Sequence, residues 1–247
     1  MGSAIINVRL RRSISIIIPA FNETKRLPST LQTLRNYLDQ STWEFTEIVV
    51  VDDGSRDGTP DVARAAGARV LENPGNRGKG YSVRHGMLQA KGDWVLFTDA
   101  DLSAPIDDLE KLWSEIERSG ASIAIGSRAV DRSLIGVHQP RLRELSGQIF
   151  NVAMRMVTGL PFQDTQCGFK LFERRAAAAI FERQSLDGFG FDVEVLFIAT
   201  RLGYRVVEVP VRWNNVPGTK VSLWQGMKGF LDPLQVRWNG IRGKYRD

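Results

Sequence analysis

Residues 92–105, GDWVLFTDADLSAP, decide the fold. The run from Trp94 to Thr98 is apolar and strand-forming, and it ends in two acids one residue apart, Asp99 and Asp101. A continuous rather than alternating apolar run suits a strand covered on both faces, as in a parallel sheet between helix layers. Ligands of such sheets bind at the carboxyl ends of the strands, where these acids emerge. On an extended backbone, residues i and i+2 point the same way, so the two carboxylates can converge on one hard divalent cation. A lone pair of this kind also occurs as a turn cap, so its meaning depends on its neighbours.

Those neighbours repeat the pattern. Residues 14–19, 47–51 and 68–71 also read as buried strands, while 27–38, 59–66 and 81–90 carry helical periodicity. The first strand ends in PAFNE (19–23) and the second in DDGSRDGT (52–59). Alternating elements of this kind predict an α/β three-layer sandwich around a mostly parallel sheet. Asp57 is a plausible cap for the helix starting near Thr59. Asp53 is not explained by capping, and its carboxylate could accept from an N–H of a nucleobase edge. NPGNRGKG (73–80) lacks the spacing of a Walker loop and the context of a dinucleotide fold. Beside a metal site, however, Lys79 could reach a diphosphate.

Composition narrows the chemistry. The chain has 247 residues, of which 43% are hydrophobic, enough for a sizeable core. One cysteine, Cys167, excludes an internal disulfide, and two histidines are too few for a histidine-rich metal centre. Mg²⁺ or Mn²⁺ held by oxygen is the cofactor this inventory allows. No apolar run approaches the ~20 residues of a membrane span.

The net charge of +5 is uneven: residues 212–247 contain seven Lys/Arg and two acids, so the other 211 residues sum to zero. On a helix, Leu223, Trp224, Met227, Phe230, Leu231, Leu234, Trp238, Ile241 and Tyr245 fall within a stripe roughly 120° wide. Lys228, Arg237, Lys244 and Arg246 border that stripe, with Asp232 and Pro233 marking a break between two helices. A Trp/Phe/Leu stripe with basic flanks is the composition of a helix lying in a membrane interface; an amphipathic helix packed on the core is the alternative. The chain is therefore expected to divide into one domain over 13–220 and amphipathic interfacial helices over 221–247. A nucleic-acid partner for the basic tail leaves the acidic strand ends unexplained, since those repel phosphates without a metal.

Taken in order, SIIIPAFNE, IVVVDDGSRDGT, NRGKG, GDWVLFTDADLSAP, IAIGSR, DTQCGFKLF, FDVEVL and EVPVRWNNVPGTK resemble the inverting family 2 glycosyltransferases of the GT-A fold. More narrowly they look like the enzymes that load a sugar onto a polyprenyl phosphate, with DTQCGFKLF, FDVE and the W…GTK ending closest to the dolichyl-phosphate β-glucosyltransferases rather than the mannose synthases. The resemblance implies transfer of glucose from UDP-glucose to dolichyl phosphate with inversion. GDP-mannose or UDP-GlcNAc as donor, or a non-catalytic relative with a basic tail, are the alternatives.

The resemblance also implies roles. Pro19, Ala20, Phe21 and Glu23 border the nucleotide pocket, and Asp53 contacts the base. Asp99 and Asp101 hold the metal that bridges the donor diphosphate, with Asp99 also near the nucleoside and Lys79 near the phosphates. Ser103 stands where the mannose synthases often have a third ligand, Gln. Arg128 meets the acceptor phosphate, helped by Arg141 or Arg143. Lys220 reaches the donor diphosphate from a closing loop, and Asp192 and Glu194 position sugar hydroxyls. A phosphate acceptor is already largely a dianion at pH 7 and needs no general base. The expected setting is peripheral attachment to the cytoplasmic face of a membrane.

Overall fold

The computed structural model describes residues 12–137, 151–152, 154–215 and 232–245. Its sheet contains β1 (Ser13–Ala20), β2 (Phe45–Asp52), β3 (Arg69–Glu72), β4 (Trp94–Thr98), β5 (Ile123–Ser127), β7 (Phe169–Glu173) and β8 (Val206–Pro210). The spatial order is β3-β2-β1-β4-β7-β5-β8. All pairings are parallel except those of β7, which runs antiparallel between β4 and β5. The mostly parallel sheet expected from the apolar strands is therefore present. A separate short parallel ladder joins β6 (Ile135–Val137) to β9 (Trp213–Asn214).

Strand alternation sends successive residues into two different cores. Ile14, Ile16 and Ile18 of β1 pack with α1 (Leu27–Gln40), α2 (Thr59–Ala65) and α4 (Leu109–Ser119). Ile17 points to the opposite face, toward α3 (Lys79–Gln89), α5 (Arg174–Arg183) and α6 (Phe191–Arg201). In α1 the leucines at 27, 31, 34 and 38 recur at helical spacing and are all buried, each contributing about 1.5–3 kcal/mol. Proline in the first turn of α1 suits a position whose N–H has no intrahelical partner. Every residue of α6 from Phe191 to Ala199 is buried, so this helix is internal rather than amphipathic.

The C-terminal helix α7 (Asp232–Ile241) packs on α6. Val236 is fully buried, and Tyr245 packs edge-on against Phe197 with ring centroids 6.0 Å apart. Leu234, Trp238 and Ile241 remain more than half exposed. The apolar stripe expected along this segment is thus divided. Tyr245 is corrected from the interfacial face to the core, because the helix ends at Ile241 and the following turn redirects the chain inward. The remainder of the stripe, 223–231, lies outside the described residues, as does most of the helix expected over 141–158.

Candidate active site

The carboxyl ends of β1, β2 and β4 lie side by side because these strands are neighbours in the sheet. The loops after β1 and β2 are laced together. Asn22 donates its N–H to Ser55 Oγ at 2.8 Å and accepts from the Arg56 N–H at 2.9 Å. Glu23 N–H donates to Thr59 Oγ1 at 2.8 Å. Asn22 adopts φ 54°, a left-handed conformation that asparagine tolerates better than most residues. Pro19, Ala20, Phe21 and Glu23 therefore lie in one braced segment at the end of β1, with Ala20 buried, Phe21 exposed and Glu23 paired with Arg26 at 3.6 Å. Asp57 accepts from the Thr59 N–H, but the residue directly before the helix is Gly58, so the cap acts from one position further out.

The paired acids of β2 serve the loops around them. Asp52 Oδ2 accepts from the N–H groups of Gly54 and Ser55, at 3.1 and 3.0 Å. Asp53 Oδ1 accepts from Asn73 Nδ2 and the Arg77 N–H, and Oδ2 from the Gly78 N–H, each at 2.9 Å. Three protein donors thus occupy a carboxylate expected to read a base, and a carboxylate has about four acceptor positions. Asp53 builds the glycine-rich loop from below, and a nucleobase has one acceptor position left to it. Gly54 has φ 76°, and a Cβ there would come within 2.6 Å of the Gly75 backbone, so glycine is required where the two loops touch.

That loop delivers Lys79 to the acids of β4. Lys79 Nζ lies 2.7 Å from Asp99 Oδ1, and it sits over the rings of Phe97 and Phe189 at 5.3 and 6.0 Å. Burial lowers the affinity of this ammonium for its proton, but Asp99, Asp192 and Asp101 outweigh burial and hold its pKa above the ordinary lysine value. Asp101 Oδ1 accepts from the Ser103 N–H at 3.0 Å. Leu102, at φ 46°, turns the chain back after the acids. A hard cation fits this place: the donors are carboxylate oxygens, and among the described residues Asp99 and Asp101 each retain an oxygen without a hydrogen-bond donor. Two carboxylates suffice for Mg²⁺ or Mn²⁺ when substrate phosphates and water complete the shell. Among the described residues no group of three or more acidic, histidine or cysteine side chains that could hold a metal ion forms.

Arg128 stands at the same edge of the sheet, directly after β5, already partnered. Its Nε and Nη2 meet Asp164 Oδ2 and Oδ1 at 2.7 and 2.9 Å, and its N–H also reaches Asp164 Oδ2 at 3.0 Å. The guanidinium stacks over Trp213 at 5.5 Å. Burial opposes its charge, yet Asp164 holds its pKa above the ordinary arginine value. Glu208 of β8 accepts from the N–H groups of Gln163 and Asp164, at 2.8 and 2.7 Å, fixing the loop that carries the counter-ion. An acceptor phosphate would therefore meet the remaining Nη1 edge rather than the full fork. Arg141, Arg143 and Lys220 lie outside the described residues.

Asp192 and Glu194 separate in use. Asp192 is buried and paired with Lys170, itself fully buried; burial pushes the Asp192 carboxyl up, against the pull of Lys170 and Lys79. Glu194 is corrected as a sugar contact. It is fully buried, and its oxygens accept from the Ser185 and Leu186 N–H groups, Ser185 Oγ and the Tyr245 hydroxyl at 2.6–3.0 Å. All four ordinary acceptor positions of the carboxylate are filled. Sequence reasoning gave no role to Asp164, Gly168 or Lys170. A lysine inside the apolar run FKLF was the available signal, because a lysine is almost never fully buried unless paired.

The glycosyl transferase family 2 profile matches residues 15–181. A dolichyl-phosphate beta-glucosyltransferase of Trichomonas vaginalis is 37% identical over 90% of this chain and 72% of its own length. The protein of the same name from Drosophila melanogaster is 38% identical, covering 94% of this chain and 77% of its own. Glucosyl-3-phosphoglycerate synthase from Mycobacterium tuberculosis, solved with Mn²⁺, UDP and glucosyl-3-phosphoglycerate, superposes with a TM-score of 0.66 at 21% identity, over 91% of this chain and 78% of its own. Its GT-A fold is the one described above. The family profile and these relatives, matched over most of the chain, place this protein in glycosyl transferase family 2.

Proposed function

We propose that this glycosyltransferase transfers glucose from UDP-glucose to the phosphate of dolichyl phosphate, inverting the anomeric carbon to give a β-linked product. The observation that supports the reading is the placement of two oppositely charged stations at the same edge of the sheet, on strands that flank β7. Asp99 and Asp101 stand at the end of β4, and Arg128 stands at the end of β5, with the 164–168 loop between them. The acids suit a nucleoside diphosphate bound through a cation, and the arginine suits a phosphate monoester. The names of relatives 34–38% identical over most of the chain favour glucose and dolichyl phosphate.

A divalent cation held by Asp99 and Asp101 would neutralise charge building on the departing UDP. Lys79 would turn from Asp99 to the donor phosphates and supply a second positive charge there. Lys220 is proposed to approach the same phosphates, with Arg141 and Arg143 aiding Arg128. Pro19, Ala20, Phe21 and Glu23 wall the nucleoside, and Asp53 holds the loop bearing Lys79. The acceptor phosphate is itself the nucleophile, its second pKa near 6 leaving it largely dianionic at pH 7, so the protein needs to orient it rather than deprotonate it.

The lipid acceptor also gives the exposed face of α7 a use. Leu234, Trp238 and Ile241 project outward beside Arg237, and Arg242 stacks on Trp238 at 4.6 Å. Apolar residues interleaved with arginine suit attachment to an anionic membrane surface, here proposed as the cytoplasmic face. Among the described residues no helix is long and apolar enough to cross a membrane.

Radiolabelled transfer to dolichyl phosphate decides the reaction, using UDP-glucose, GDP-mannose and UDP-GlcNAc with and without Mn²⁺ or Mg²⁺. Transfer from UDP-glucose that is lost in Asp101→Ala is the expected result. Transfer from another donor alone overturns the sugar assignment, and no transfer from any donor overturns the activity.

A further inference from the structure

The buried pair Lys170–Asp192 is used by none of the steps above, although it lies directly beneath the site. Lys170 is 0% exposed, on the face of β7 that is covered by α6. Its register partners are Phe97 on β4 and Ile125 on β5, so it sits inside the sheet with a strand on either side. Its ammonium donates to Asp192 on α6 and, at 2.7 Å, to the backbone carbonyl of Cys167. Burying a lysine and an aspartate costs several kcal/mol per ion, and an apolar pair of similar volume is often as stable or more so. Stability is therefore a poor reason for the pair to be there.

The loop it grips touches both stations of the reaction. At one end, Asp164 holds Arg128 through Nε and Nη2. At the other end, Gly168 lies so close to Asp99 that a Cβ there would collide with the Asp99 carboxylate. Between them the loop is tied to itself by the Gln166 N–H to Asp164 Oδ1, at 3.1 Å, and Lys170 anchors it through Cys167. Lys170 also faces Phe97 from 5.8 Å, while Lys79, the partner of Asp99, faces the same ring from 5.3 Å.

We propose that Lys170, braced by Asp192, is a positioning residue that fixes the 164–168 loop and thereby sets the donor-side acid Asp99 and the acceptor-side cation Arg128 in one geometry. In this proposal Asp192, expected from its motif to position a sugar hydroxyl, is buried against Lys170 and acts through that residue and the loop. The contribution of Lys170 to turnover rests on the glucosyl-transfer reading, whereas its effect on Asp99 does not.

The test uses the full chain and two variants, K170M/D192N and K170R. The double variant removes both charges together, so that no unpaired ion is left in the core. K170R retains the ion pair but replaces the ammonium by a longer planar fork that cannot reproduce the contact with Cys167. Mn²⁺ binding in the presence of UDP is measured by electron paramagnetic resonance, and kcat and KM for both substrates are measured alongside thermal midpoints. Outer-shell residues of metal sites are typically worth about 10- to 100-fold in affinity or activity. A loss of that size in Mn²⁺–UDP affinity and in kcat, with the melting temperature of a folded protein, is expected for either variant. A purely structural pair would move the melting temperature and leave both readouts unchanged. Wild-type Mn²⁺–UDP affinity and kcat in a folded K170M/D192N overturn the proposal. If that variant does not fold, the same values in K170R overturn it. Absence of glucosyl transfer by the wild-type protein overturns the functional reading instead, and the Mn²⁺–UDP affinity then still decides the role of Lys170.

Discussion

Lys79 Nζ and Asp99 Oδ1 form a 2.7 Å ion pair, so the loop lysine stands where the proposed metal cation would compete for the same carboxylate. A partly exposed pair of this kind is worth about 1 kcal/mol, a factor of about five in binding. Lys79→Met is therefore expected to bind Mn²⁺ alone about fivefold more tightly, while its KM for UDP-glucose rises because a phosphate contact is lost. Equal Mn²⁺ affinity in the two proteins would show that the ion pair does not compete with the metal.

Gly168 offers a change that separates geometry from stability. A Cβ at this position meets the far end of the Asp99 side chain, which can swing away, rather than an immovable backbone. Gly168→Ala is expected to keep the melting temperature within a few degrees, since most substitutions outside a named large mechanism cost about 1 kcal/mol or less. Mn²⁺–UDP affinity should fall, because the displaced group is a proposed ligand. A melting temperature that drops while the affinity holds would place the effect on the fold.

Asp108 ties the segment leading to Trp213 to the start of α4. It accepts from the Arg212 N–H at 2.6 Å and from Arg212 Nε at 2.9 Å, and Lys111 adds a contact at 3.2 Å. Burial pushes its carboxyl up, but these donors prevail and hold its pKa below the ordinary value of 3.8. A carboxyl depressed in the folded state contributes stability that is complete above the unfolded pKa and disappears as pH falls through the folded one. Between neutral pH and about pH 5 its contribution should be constant, with the loss confined to more acid solution. Melting temperatures across pH 2–7 should show the wild-type protein losing more than Asp108→Asn in that acid range. Parallel curves would mean that the contacts stabilise the protonated form equally.

The two faces of α7 should respond differently. Replacing Leu234, Trp238 and Ile241 together by serine is expected to abolish flotation with anionic liposomes while leaving the melting temperature nearly unchanged, since all three are exposed. Wild-type flotation should weaken with added salt as the arginine contacts are screened. Tyr245→Phe removes the hydroxyl that bonds Glu194 and is expected to cost about 1–3 kcal/mol without altering flotation. Retained flotation in the triple variant would remove α7 from the membrane contact.

Much of this molecule was written in local pattern. The apolar runs of β1, β2 and β4 announced strands buried on both faces, and the acids that end them marked the edge where ligands bind. The leucines of α1 fixed its inward face by spacing alone. These features are legible because the period of a strand or helix is a property of consecutive residues. Pairings across the chain are not of that kind. Arg128 takes its counter-ion from Asp164, 36 residues away, and Lys170 takes Asp192 from a helix 22 residues on. Glu194 looked available for a sugar until Tyr245, 51 residues later, closed over it. Tyr245 itself matched the helical stripe of its segment, but the chain turns after Ile241 and buries it. The sequence by itself determined the sheet, its covered faces and the acids at its edge. Only the tertiary structure decided which charged groups remain to meet substrate, because a buried charge must find its partner wherever the fold brings one.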